Sequence, residues 1–297
     1  MKNFILFLLA ISTFNFFGCD DGDDGLNISL DDAGLVIKER SGDFTDIYSS
    51  VRNEITSRGF TVVAEIDHSA AASSVGLTLR PTRVIIFGNP QGGTQLMLDD
   101  QRIGIDLPLK MLIYENDEGN FNVAYYDGST LTDRYDVEVE TVEDNINTAL
   151  NAISAGEKIK DPIIVTDSFD DLIVQQTTMS VTETIDSLQV FLMDNGFNIP
   201  ALVKHDVAAA GVGLDLRPTQ VIIFGKPEVG TLLMQSNNQI GIDLPLKILA
   251  WEDEDGNTNV GYYNASFLAD RHDINDRNDT VEGINAALTN IISTVLN

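Results

Sequence analysis

Four pairs of side chains carry the chemistry that this sequence offers. His68 and His205 each follow an apolar stretch and precede an alanine-rich one. An imidazole titrates near neutrality, which suits a base, a metal ligand or a donor to a bound molecule. The competing role is a structural hydrogen bond to the next loop, and one histidine per site is thin for a metal. Arg80 and Arg217 each precede Pro-Thr. A fixed guanidinium clamps a carboxylate or phosphate, or pairs with an acid of the same fold. Asp106 and Asp243 are the expected internal partners. Each begins an Asp-Leu-Pro-Leu-Lys run that ends at Lys110 or Lys247, and residues four apart on a strand share a face. His68, Arg80, Asp106 and Lys110, and again His205, Arg217, Asp243 and Lys247, are therefore the candidate ligand-binding residues. None is assigned as catalytic.

Weaker candidates resolve into local structure. The glycines of Gly88–Gly93 lack the Gly-Lys-Ser/Thr ending of a phosphate loop, so a turn is expected there. The acids near Asp117 and Asp253 resemble a calcium loop only locally, because Asn264 stands where a terminal Glu is required. No Gly-x-Ser-x-Gly elbow, His-Glu-x-x-His pair or cysteine nucleophile is present. The pattern calls for no metal and no cofactor.

The elements that must position these residues are written twice. Val75–Gly88 recurs as Val212–Gly225 with two changes, Thr78/Asp215 and Arg83/Gln220, and Gly104–Lys110 recurs unchanged as Gly241–Lys247. Both blocks are offset by 137 residues, far above solenoid periods, so each copy is a domain. His272 falls opposite Tyr135 and reads as incidental. In each copy a short apolar strand precedes a helix-periodic stretch, Phe44–Ile55 or Val181–Leu192, that stops at Gly59 or Gly196. Strands follow at Phe60–Ile66, Val84–Phe87, Leu107–Tyr114 and Phe121–Tyr126, the last two joined by a turn at Asn116–Asn120. Tyr125-Tyr126 and Tyr262-Tyr263 put one ring on each face of a strand. An amphipathic helix closes each copy. The order β-α-β-β-β-β-α has few helical crossovers, so the class is α+β. It predicts two tandem two-layer sandwiches, each with a mainly antiparallel sheet and its helices on one face.

At the Gly-Phe strand into His68, the Gly-Leu-x-Leu-Arg-Pro-Thr block, the turn Phe87–Pro90 and the Asp-Leu-Pro-Leu-Lys run, the chain resembles the DUF302 family. Both copies carry the resemblance, with Lys204 and Lys226 in copy two where copy one has Asp67 and Asn89. The resemblance implies a TBP-like β-α-β₄-α fold and brings no substrate or catalytic residue.

The first residues read as an address. Lys2, an apolar core from Phe4 to Ile11 and Gly18-Cys19 describe a secretory signal, and the sole cysteine sits where a lipoprotein signal places its acylated residue. Phe16 stands where that pattern usually has a branched aliphatic. Residues 1–19 are thus expected to be a signal peptide with lipidation at Cys19, and 20–33 an acidic tether. Domain one spans 34–155, a linker 156–170 and domain two 171–297. The expected location is the bacterial cell envelope, lipid-anchored, with the outer-membrane surface suggested by the acidic run after Cys19. A formal charge of −28 argues against nucleic acid and against a basic membrane-docking face. The expected partner is a small molecule or an envelope protein, with the two domains packing as a pseudo-dimer. Binding or accessory function is favoured. The alternatives are a hydrolytic or isomerising enzyme with His68 or His205 as base, and a structural envelope interaction protein.

Overall fold

A computed structural model describes residues 34–158 and 172–296. The expected signal peptide, the Cys19 lipidation site, the acidic tether and most of the linker lie outside the described residues. Unit one runs β1 (Leu35–Arg40), α1 (Phe44–Ser57), β2 (Thr61–Asp67), α2 (His68–Ser74), β3 (Thr82–Gly88) and α3 (Pro90–Asp99). A 3₁₀ turn (Gln101–Ile105) leads to β4 (Leu109–Glu115), β5 (Phe121–Tyr126), α4 (Gly128–Tyr135), α5 (Glu140–Ser154) and β6 (Glu157–Lys158). Unit two repeats this order as β7 (Leu172–Thr177), α6 (Val181–Asp194), β8 (Asn198–Lys204), α7 (His205–Gly211), β9 (Thr219–Gly225) and α8 (Pro227–Ser236). Its own 3₁₀ turn (Asn238–Ile242) precedes β10 (Leu246–Glu252), β11 (Thr258–Tyr263), α9 (Ala265–Arg271) and α10 (Asn278–Val295).

The α+β class and the two antiparallel sandwiches match the sequence reading. The sheets run β2-β3-β4-β5-β1-β6 and β7-β11-β10-β9-β8, and every pairing is antiparallel. Ile47, Val51 and Ile55 of α1 are buried in the core with Val142, Ile146, Leu150 and Ile153 of α5. Both long first helices end ahead of a left-handed glycine, Gly59 at φ 81° and Gly196 at φ 72°.

Three further helices per unit are too short for the periodicity to reveal, and in unit one each starts at a side-chain cap. The Asp67 carboxylate accepts from Ala70 N to start α2, and Asn89 accepts from Gln91 N to start α3. The expected turn at Gly88–Gly93 is therefore corrected to a capped helix start with Pro90 at its first position. Strand β4 begins at Leu109 rather than Leu107, since Pro108 has no N–H for the ladder. The expected linker begins with β6, which pairs with Lys38 and Glu39 of β1.

The central strands are buried along most of their length. β3 and β4 read almost entirely buried, as do β9 and β11. A sheet with helices on one face alternates; continuous burial demands cover on both faces. Here each unit supplies the other's cover. Ile242, from the second 3₁₀ turn, completes a cluster with Leu35, Ile37, Val84, Leu112, Tyr114, Ala124 and Tyr126 on the open face of the first sheet. The first 3₁₀ turn packs on β9 and β10 in return.

Candidate functional site

The two copies of Gly-Ile-Asp-Leu-Pro-Leu-Lys meet at this junction. Gly104 and Gly241 lie in the 3₁₀ turns that cross to the other sheet. A Cβ on Gly104 would stand 3.2 Å from Leu249 Cδ1, and one on Gly241 3.2 Å from Leu112 Cδ1. Both glycines permit close approach of the units. His68 Nε2 lies 3.1 Å from the Gly241 carbonyl oxygen, and His205 Nε2 3.2 Å from that of Gly104. Burial pushes both imidazoles down to about 4, only partly opposed by the glycine carbonyls. They are neutral at pH 7, and each donates its Nε2 hydrogen across the junction.

The two aspartates anchor matching ion-pair networks. Asp106 accepts from Arg134 Nη1 at 2.7 Å and Tyr135 Oη at 2.8 Å in its own unit. It also accepts from Lys247 Nζ at 2.9 Å and Tyr263 Oη at 3.3 Å in the other. Asp243 repeats the pattern, hydrogen-bonded to its own His272 Nε2 at 2.7 Å and ion-paired with Arg271 Nη1 at 3.3 Å. From unit one it receives Tyr126 Oη at 2.8 Å and Lys110 Nζ at 3.4 Å. Burial opposes ionisation of both carboxyls, yet the surrounding cations outweigh it and hold both well below the usual carboxylate range. Lys110 is lowered to about 7, by burial first and by Lys247 second. Arg271 stacks at 5.5 Å over both Tyr126 and Tyr263, binding the networks together.

Four expectations are thereby corrected. Asp106 and Lys110 do not share a strand face. Asp106 caps the 3₁₀ turn, and each aspartate takes the lysine of the other unit. Arg80 does not pair with Asp106; it bonds Asp117 and the Glu115 carbonyl in its own hairpin. Arg217 reaches across to Gln101 Oε1 at 2.8 Å. His272 is not incidental, since it replaces Tyr135 as a donor to the aspartate. The structure thus brings His68, Asp106, Lys110, His205, Asp243 and Lys247 to one junction and leaves Arg80 and Arg217 towards its edges. The residues not singled out from sequence are Arg134 and Arg271. Their repetition at the same 137-residue offset was the available signal.

The free space is apolar and lies beside this network. A cavity of about 870 Å³ is bounded by β8, β10, α8 and α10 of unit two, with His68 and the end of β2 closing it from unit one. Its counterpart in unit one, with His205 on its wall, is about 240 Å³. Ligand pockets run from about 300 to 1,000 Å³, so only the first is large enough for a sizeable molecule. Gly283 of α10 helps to open it: a Cβ there would meet nothing within 4 Å. Among the described residues no cluster of three or more His, Cys, Asp or Glu is arranged to hold a metal ion. Among them, too, no helix is long and apolar enough to cross a membrane.

Over 103 residues the chain is 40% identical to the fluoride-specific ion channel FluC 1 of Brucella suis biovar 1, covering 35% of this chain and 41% of that protein. It is equally similar to FluC 2 of Brucella melitensis biotype 1, of which 38% is covered. The chain thus spans about two fifths of the length of these curated relatives. A crystal structure of an uncharacterized conserved DUF302 protein from Bacillus stearothermophilus is similar at 20% identity and a TM-score of 0.35, covering 42% of this chain and 95% of that one. The domain of unknown function DUF302 matches twice, at residues 36–153 and 173–295, and the chain belongs to that family.

Proposed function

We propose that this protein is a non-enzymatic binding protein of the bacterial cell envelope, anchored by lipid at Cys19, whose ligand is an apolar small molecule held in the cavity of unit two. The observation that carries the reading is the contrast between that cavity and the polar candidates. The cavity encloses about 870 Å³ within a largely apolar wall. The charged side chains that could do chemistry are consumed in junction ion pairs instead. His68 and His205 do not suit the role of base. Each is buried and neutral, and its ring nitrogen is committed to a carbonyl. The likeness to fluoride channels covers less than half of each channel, and channel activity is not carried over to this chain.

The test is a thermal-shift screen of apolar small molecules on the full-length protein. A second protein carries Gly283→Leu with Ala287→Leu, which adds two side chains to the cavity wall on an existing helix. Ligands that raise the melting temperature of the first protein and not the second support the reading. A panel without any hit, or hits indifferent to the filled cavity, overturns it. Anchoring is tested separately by detergent phase partition, where Cys19→Ser is expected to move the protein to the aqueous phase.

A further inference from the structure

Resting on that reading, we propose that the ligand is a single-chain anionic amphiphile, such as a long-chain fatty carboxylate, with its head group at Lys226. The cavity wall has the shape for a chain. Along α10 it takes in Asp279, Gly283, Ala287 and Ile291, one turn apart. That stretch is about 18 Å at 1.5 Å per residue. One leaflet of a bilayer holds acyl chains in roughly half of its ~30 Å hydrocarbon core, a similar length. The opposite wall is equally dry, with Phe197, Ile199, Phe224 and Leu246 among its residues.

Charge selects the head group. Lys226 lies on the cavity wall with its Nζ 4.6 Å from the centroid of the Phe197 ring. Among the described residues it makes no ion pair. It is also the N-cap residue of α8, a ten-residue helix whose N-terminus has no side-chain cap hydrogen bond. In unit one Asn89 stands here and caps α3. The copy with the large cavity is therefore the copy that exchanged a cap for a cation, in a first turn that also carries the exposed Glu228. The acids on the same wall are already committed. Glu65 is held by Arg52 and Tyr48, and Asp67 by Arg83. Asp279 sits in the first turn of α10, where the helix dipole offsets its charge. Thr231, on the same wall and 1% exposed, has a buried hydroxyl with no hydrogen-bond partner.

The test is displacement of the fluorescent fatty acid cis-parinaric acid from the full-length protein by palmitate and by hexadecanol, which share a chain and differ in head charge. Palmitate is expected to compete better than hexadecanol. In Lys226→Met its affinity should fall by roughly tenfold, the worth of one charge-assisted hydrogen bond, with hexadecanol unchanged. Gly283→Leu with Ala287→Leu should abolish both. If palmitate and hexadecanol compete alike and Lys226→Met changes neither, the head-group inference is overturned while the cavity reading stands. If neither competes, the amphiphile inference is overturned while the cavity reading stands or falls on the screen; if the filled cavity binds as before, both are overturned.

Discussion

Mild acid should loosen this protein through His68 and His205, and the size of the effect follows from their burial. Each imidazole is held at about 4 in the folded chain, against about 6.5 when exposed. Between those values the unfolded chain binds more protons than the folded one, so stability falls as pH falls. At pH 5 each ring costs about 2 kcal/mol relative to pH 7.5, and the pair about 4 kcal/mol. His272, also lowered by burial, adds in the same direction. Asp106 and Asp243 do not interfere, because their folded values lie well below 3.8 and their contribution is lost only below the unfolded carboxylate range. The assay is urea unfolding at intervals from pH 7.5 to pH 5, followed by Trp251, the sole tryptophan, buried in β10. The comparison is with His68→Gln/His205→Gln, whose amides can still donate to the glycine carbonyls but do not titrate. The double variant should lose most of the pH slope whatever its stability at pH 7.5. An unchanged slope would refute the claim that these rings are buried and neutral.

Three further outcomes follow from the junction. Asp106→Asn leaves Arg134 and Lys247 buried without their counter-charge and should cost roughly 3–5 kcal/mol, with part restored by adding Lys247→Met; urea titration reads both. Gly104→Ala forces a Cβ to 3.2 Å from Leu249 Cδ1 and Met97 Sδ, and should cost about 1–3 kcal/mol. Gly211→Ala, in α7 with nothing near its Cβ, is the control and should be neutral or stabilising in the same melts. Lys110 is lowered to about 7, so its folded form releases a proton that the unfolded chain keeps up to its higher unfolded value. Its contribution makes stability rise as pH climbs above 7, and Lys110→Met should flatten that rise in denaturation curves at pH 7 to 9.5.

A buried charge network of this kind orients more than it stabilises. Desolvation of two aspartates, two lysines and two arginines offsets much of their attraction. What the network enforces is pairing. Lys110 has its carboxylate only when unit two is docked, and Lys247 only when unit one is. The unchanged repeat of Gly104–Lys110 at Gly241–Lys247 is thus explained by one junction built from both sides.

The duplication, the five strands and two long helices of each copy, and the glycine stops at Gly59 and Gly196 were all legible in the residues. They rest on local physics: periodicity, turn chemistry and caps. Candidate polar residues were legible as types, since His68, Asp106 and Lys110 recur at fixed spacing. Their partners were not. Spacing along one strand suggested that Asp106 would meet Lys110, whereas the second unit places Lys247 beside it. The apolar run Val84–Phe87 was legible as a strand, but the cover on both of its faces was not. The cavity was likewise invisible, because its wall combines Gly283 and Ala287 of α10 with Pro245 and with His68 of unit one, residues far apart in the chain. Local sequence determines which elements form and which faces are apolar. Only the packing of one unit on the other decided which charges neutralise each other and where space remains.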